Sequence, residues 1–252
     1  MNNLKSTISQ VIEENLISTE WSDAVNEEVK NLNLSINDHL RKDLTNVPFV
    51  TIDGADAKDF DDAVFCNLND SGFLLNVAIA DVAELVSENS YLDQEAKKRG
   101  TSIYFPSKVI PMLPEKISNN LCSLVPDEIR NVLVCEINFS LNGSVKSYRF
   151  FQAKIMSHKR MTYAEVEEYI KNNNSNVPKK IKTSLDALNL LTKNLLIKRS
   201  QRKALEIEGN EPILSIDDDG KVSSIDLPHR LYAHQMIEES MLAANVCAAN
   251  FM

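Results

Sequence analysis

The stretch Val50-Thr51-Ile52-Asp53-Gly54-Ala55-Asp56-Ala57-Lys58-Asp59-Phe60-Asp61-Asp62-Ala63-Val64 sets five aspartates against a single lysine. Apolar segments that read as buried strands enter and leave it, so the carboxylates are held together and not spread through solvent. Like charges a few ångströms apart in a partly buried site repel by several kcal/mol. The pattern therefore asks for a cation. Asp53 closes one predicted strand, Asp61 and Asp62 open the next, and Asp59 lies in the loop between them, so Asp53, Asp59 and one of the pair can converge on one point.

An all-oxygen donor set suits a hard ion such as Mg²⁺, Mn²⁺ or Ca²⁺, and not zinc, which favours Cys and His. An EF-hand is excluded: no glycine sits at its sixth position and no Glu closes a twelve-residue loop. Magnesium takes one or two protein carboxylates, keeps waters and completes its shell with substrate phosphates, which describes a phosphoryl-transfer site. A structural ion site and a solvated acidic loop are the competing readings of the run taken alone.

The run resembles the signature of the RNB catalytic domain of the ribonuclease II and ribonuclease R family. The likeness continues through Val77-Ala78-Ile79-Ala80-Asp81-Val82-Ala83, Arg99-Gly100-Thr101-Ser102-Ile103-Tyr104-Phe105-Pro106 and Val109-Ile110-Pro111-Met112-Leu113-Pro114. It goes on through Leu121-Cys122-Ser123-Leu124 and Met236-Ile237-Glu238-Glu239-Ser240-Met241-Leu242-Ala243-Ala244-Asn245. The resemblance implies an α+β fold with a largely antiparallel sheet and packed helices, in an RNB-type domain over 47–252 preceded by a helical arm or linker over 1–46.

It further implies hydrolysis of single-stranded RNA from the 3′ end to nucleoside 5′-monophosphates. Asp53, Asp59 and Asp62 would hold Mg²⁺, for which Mn²⁺ can substitute, and Asp61, with Asp59, would position or deprotonate the attacking water. Tyr104 and Tyr163 would handle the nucleotides near the 3′ end, and a glutamate of the Glu238-Glu239 pair the ribose. RNA is the expected partner, with no DNA substrate and no membrane.

Read without the family, Tyr104 and Tyr163 are ordinary apolar-loop and half-buried aromatics, and Asp81 is a helix cap. Adjacent acids on a helix point about 100° apart, so at most one of Glu238 and Glu239 faces inward. The family's domain continues beyond a helix of this kind into a segment that supplies an arginine, then an RNA-binding barrel. The expectation is thus an incomplete, N-terminal part of the catalytic domain. The alternative is a non-catalytic remnant that binds RNA or a protein partner.

Composition agrees with a globular chain: 252 residues, 43% hydrophobic, 25% charged, with a net charge of -9. No basic-then-apolar leader opens it, and Cys66, Cys122, Cys135 and Cys247 are widely spaced, as for buried free thiols in a reducing cytoplasm. Its basic clusters, Lys97-Lys98-Arg99, His158-Lys159-Arg160, Lys179-Lys180 and Lys198 to Lys203, read as solvated faces.

The remaining elements follow from periodicity and turn chemistry. Helices are predicted over Ser22 to Leu34, with Trp21 as an anchor, over Tyr91 to Arg99 with Gly100 as its stop, and after Thr162. A second helix cap is predicted at Ser35-Ile36-Asn37-Asp38. Three strands occupy 47–82, two long ones surround Asn142-Gly143, and a leucine-striped helix covers Ile181 to Leu196. Thr101 to Pro114 reads as an irregular apolar loop, and Ile213 to Ile225 as a hairpin with turn aspartates at Asp217 to Asp219. A last helix runs from His229.

Overall fold

The structure, a computed structural model, describes residues 4–34, 40–106, 108–172, 176–205, 212–217, 221–227 and 229–252. In chain order its elements are α1 (Leu4–Glu14), α2 (Asp23–Asn31), β1 (Lys42–Asp43), β2 (Phe49–Asp53), β3 (Asp62–Asn69) and β4 (Gly72–Ala80). There follow α3 (Val82–Leu85), α4 (Tyr91–Arg99), β5 (Ile103–Phe105), β6 (Lys108–Ile110), a π-helical turn (Ile117–Leu121), β7 (Ile129–Phe139) and β8 (Val145–Thr162). The chain closes with α5 (Tyr163–Asn172), α6 (Lys179–Gln201), β9 (Ile213–Ile216), β10 (Val222–Asp226) and α7 (Tyr232–Phe251). The predicted cap at Ser35 to Asp38 and the tip of the last hairpin, 218–220, lie outside the described residues.

These elements fall into two compact units, each gathered from separated segments. The first takes Met1–Asn33, Ala83–Ser118 and Glu206–His229. In it, Ser22 caps α2 and Ser90 caps α4, each hydroxyl accepting a backbone N–H three residues on. Gly100 ends α4 at φ 73°, a conformation that favours glycine. The Glu28 carboxylate accepts the Leu92 N–H at 3.0 Å, and the Arg99 guanidinium lies 3.6 Å from the Trp21 ring centroid, so Trp21 is the anchor its position predicted. The stretch Thr101 to Pro114 is not irregular throughout. Ile103–Phe105 and Lys108–Ile110 pair antiparallel, because the prolines at 106 and 111 stand outside the paired residues.

The second unit, Leu34–Val82, Asn119–Leu205 and Arg230–Met252, holds a sheet in the order β1-β8-β2-β3-β4-β7. Strand β8 is eighteen residues long and serves two neighbours. Its first part pairs antiparallel with β7 and its last part parallel with β2, which closes β2, β3, β4, β7 and β8 on themselves as a barrel. Side chains alternate across such a sheet. One set (Val50, Ile52, Val64, Leu75, Val77, Ile137, Phe139) packs in a common core with Ile181, Leu185, Leu188 and Leu191 of α6, Val166 of α5 and Met236 of α7. The alternate face is also buried and is mostly small (Ala63, Ala78, Ala80, Val132, Val134, Ala153), as a narrow barrel interior requires, with Phe49 and Ile155 as larger buried residues on it.

A bulge turns this alternation into a functional placement. Phe49 pairs with Ser157 but Val50 with Lys159, so one extra residue of β8 flips the side-chain sense beyond it. Arg160 and Thr162 then register with Thr51 and Asp53. All four cysteines are free and buried. Among the described residues no helix is long and apolar enough to cross a membrane.

Candidate active site

Strand β2 ends at Asp53 and β3 begins at Asp62, its antiparallel neighbour, so the two carboxylates stand at the same end of adjacent strands with residues 54–61 looping between them. Two long-range devices hold that loop. At its far side, the buried Ser123 hydroxyl accepts the Phe60 N–H at 3.0 Å and donates to the Lys58 carbonyl at 3.1 Å. The Leu124 N–H donates to the Phe60 carbonyl at 2.8 Å. Arg130 fixes the 120–123 segment in turn, its guanidinium donating to the carbonyls of Ser123 and Asn120. At the near side, Arg160 Nη2 donates to the carbonyls of Gly54 (3.2 Å) and Ala55 (2.5 Å), while its guanidinium lies 4.9 Å from the Phe60 ring centroid. Arg160 is thus not a solvated cation: the bulge in β8 turns it onto the acidic loop. Sequence reasoning passed over Ser123 and Arg160 as site residues, although the Leu-Cys-Ser-Leu block had marked the first as part of a motif.

The loop so held keeps its carboxylates within electrical reach of one another. Burial, then Asp61 and Asp59, push the Asp53 carboxyl up to about 6 against the pull of Arg160. Burial, then Asp53 and Asp61, push Asp62 up to about 7. Asp61 is solvent-exposed at its surface, yet burial of its protein-facing side, and then Asp59, still raise it. Asp53 Oδ2 is buried without a hydrogen-bond donor. Among the described residues no three His, Cys, Asp or Glu side chains are placed together so as to hold a metal ion, so the expected convergence of Asp53, Asp59 and one of Asp61 and Asp62 on one point is not seen. Carboxylates that repel are expected to stand apart, and an ion that keeps several waters needs only one or two of them. An orphaned, buried carboxylate oxygen among acids, with no nitrogen or sulfur donor in the set, fits a hard divalent cation and supplies it with oxygen ligands.

Tyr163 and Glu238 belong to the same place. Thr162 pairs with Asp53 across β8 and β2, and its hydroxyl and the Glu165 carboxylate exchange hydrogen bonds with each other's backbone N–H as a capping box that starts α5. Tyr163, the next residue, therefore emerges beside Asp53. Burial, then Asp53, Asp62 and Glu238, push its phenol up to about 12, which keeps it an O–H donor facing carboxylates. The N-terminus of α7 is pinned nearby, with the Ala233 N–H donating to Glu167 of α5 at 3.0 Å and the Tyr232 hydroxyl to Asn189 of α6.

The two glutamates on α7 part company as adjacent helical residues must. Glu238 is half-exposed, within reach of Tyr163, and ion-paired with Arg230. Glu239 is 4% exposed and accepts from Arg199 of α6 at 2.8 Å, so it braces helix against helix. Tyr104 lies on β5 in the first unit, and its ring is exposed. Asp81 stands directly before α3, and its carboxylate is paired with the buried Arg41 at 2.7 Å, a partner the cap reading did not foresee.

Residues 41–252 match the RNB domain family. Ribonuclease R of Vibrio parahaemolyticus is 41% identical over 242 residues, which cover 94% of this chain and 29% of that protein. Ribonuclease R of Buchnera aphidicola is 42% identical over 246 residues, covering 94% and 34%. The chain thus spans about a third of the length of these relatives. Mycoplasma genitalium RNase R, solved in complex with ribose-methylated single-stranded RNA, superposes with a TM-score of 0.93 at 34% identity, over 100% of this chain and 40% of that one. The same protein has also been solved with double-stranded RNA. The family match begins just before β1 and takes in the acidic loop, its Ser123 and Arg160 supports and α7, and with it this chain belongs to the RNB domain family.

Proposed function

We propose that the acidic loop of this chain is the centre of an exoribonuclease site that hydrolyses single-stranded RNA from its 3′ end and releases nucleoside 5′-monophosphates. The observation that carries the reading is the buried, unpartnered Oδ2 of Asp53, set among carboxylates that raise one another. A folded protein tolerates such a group where a cation arrives to satisfy it. Asp53, Asp59 and Asp62 would hold Mg²⁺, or Mn²⁺ in its place, one or two of them directly and the rest through water. The bound ion would supply positive charge to the scissile phosphate and acidify a nearby water.

The chain's own groups do the rest. Asp61, solvent-exposed and with its carboxyl raised, is suited to hold the attacking water and take its proton. The Tyr163 hydroxyl donates toward the nucleotide next to the cleaved bond, and Glu238, not Glu239, accepts from the ribose. Tyr104 offers an exposed ring for a base to stack on. RNA as substrate is supported by the two RNA complexes of the M. genitalium relative, and a reducing cytoplasm by the four free thiols.

The test uses single-stranded RNA labelled at its 5′ end, incubated with the chain and Mg²⁺. The proposal expects a ladder shortening from the 3′ end with nucleoside 5′-monophosphates released, and an Asp61→Asn chain that binds the RNA with nearly unchanged affinity but produces no ladder. Internal cleavage, or affinity lost in step with activity in Asp61→Asn, would overturn it.

A further inference from the structure

His234 sits in the first turn of α7, between the site and the helix it begins. Its Nδ1 accepts the Leu231 N–H at 3.1 Å, so the neutral ring carries its proton on Nε2. Its face lies on that of Tyr163, with ring centroids 3.9 Å apart and planes 19° from parallel. Tyr163 is the first residue of α5 and only partly buried, packed at the edge of the core, so one face of its ring is left for His234. The imidazole itself is immobilised at its other end by the backbone of α7, whose start is tied to α5 and α6 through Glu167 and Asn189. A ring clamped in this way blocks one face of the phenol and limits rotation about its χ1 and χ2.

We propose that His234 is the positioning residue for Tyr163: the tethered imidazole holds the phenol in place beside the end of β2 that carries Asp53. This rests on the reading of the acidic loop as the RNA-cleaving site. His234 has two separable parts to play, one as a backbone acceptor that ends the orphan N–H of Leu231 and one as a stacked ring. Only the second acts on substrate, and it acts through Tyr163.

Two substitutions separate these parts in the full chain. His234→Asn keeps a side-chain acceptor for the Leu231 N–H and removes the ring, whereas His234→Phe keeps a ring and removes the acceptor. The proposal expects His234→Phe to lower the melting temperature but to hold kcat/KM near that of the unaltered chain. It expects His234→Asn to keep the melting temperature and lose about three- to ten-fold in kcat/KM, the worth of one aromatic contact. In a Tyr163→Phe background, which lacks the hydroxyl, adding His234→Asn should cost nothing more.

Tyrosine labelled with ¹³C gives a reading independent of RNA: the Tyr163 ring resonances should shift in His234→Asn, where the neighbouring ring current is gone, and stay close to their place in His234→Phe. Additive losses in the Tyr163→Phe background, equal loss of kcat/KM in both His234 variants, or unmoved Tyr163 resonances in His234→Asn would each overturn the proposal. If the unaltered chain binds RNA without cleaving it, the proposed function fails while the same non-additivity is still expected in RNA affinity. RNA neither bound nor cleaved would sink both.

Discussion

Replacing Asp62 by asparagine should make the metal-free chain more stable, and only at high pH. In the folded protein Asp53 is pushed up from 3.8 to about 6 and Asp62 from 3.8 to about 7. Both are acids raised on folding, so between those limits the folded chain holds protons that the unfolded chain has already lost. The stability these groups allow is fully present below about pH 3.8 and is lost as pH rises through about 6 for Asp53 and about 7 for Asp62. A carboxyl moved from 3.8 to about 7 corresponds to about 4 kcal/mol, and one moved to about 6 to about 3 kcal/mol. The two share one repulsion and are partly open to solvent, so the figures do not sum, and about 2 to 3 kcal/mol is the expected gain from removing one charge. Urea denaturation in the presence of a chelator measures it, with wild type and Asp62→Asn compared at about pH 4 and about pH 8. The variant should match wild type in acid and exceed it in base, and Mg²⁺ should stabilise wild type more than the variant. A difference that does not change with pH, or a variant less stable than wild type at about pH 8, would refute the argument that these carboxylates are held against their own repulsion.

Four further substitutions test how the site is built. Ser123→Ala leaves the Phe60 N–H buried without its acceptor and frees the Lys58 carbonyl, so denaturation should show a loss of about 1 to 3 kcal/mol together with weaker Mn²⁺ binding. Arg160→Met removes a cation that lowers Asp53, and carboxyl titration by NMR should find Asp53 higher in the variant than in the unaltered chain. Glu239→Gln breaks a buried ion pair with Arg199 and should cost about 3 kcal/mol, whereas Glu238→Gln, at a half-exposed pair, should leave the unfolding midpoint unchanged within about 0.5 kcal/mol while impairing RNA handling.

What could be read from the sequence was local. Asp53 and Asp62 were placed at two strand ends because apolar runs flank them. Gly100, Ser22 and Thr162 marked helix ends because backbone geometry and capping demand those residue types. What the sequence did not disclose depends on chain segments far apart. Ser123 reaches the loop across 63 residues, and Arg160 reaches the Ala55 carbonyl across 105. The bulge that turns Arg160 inward has no composition of its own, and nothing in Met236-Ile237-Glu238-Glu239 tells which acid meets Arg199, because that depends on how α7 is rotated against α6. The ion pair of Asp81 was missed for the same reason, since its partner Arg41 lies 40 residues earlier, beside a two-residue strand that no periodicity marks. The barrel, likewise, is closed by a single strand with two partners, and a strand's second neighbour leaves no mark on its own pattern.

The central claim is that the carboxylates around Asp53 deliver a divalent ion to the phosphate that is cut. It is tested most directly by hydrolysis of an RNA carrying a phosphorothioate at its 3′-terminal linkage, compared with the ordinary RNA in Mg²⁺ and in Mn²⁺. Sulfur binds Mg²⁺ poorly and Mn²⁺ better, so the account predicts that the sulfur-substituted linkage is cut far more slowly in Mg²⁺, that Mn²⁺ restores much of the rate, and that Asp53→Asn with Asp62→Asn loses hydrolysis in both. An equal penalty in the two metals, or hydrolysis that persists in the double variant, would contradict it.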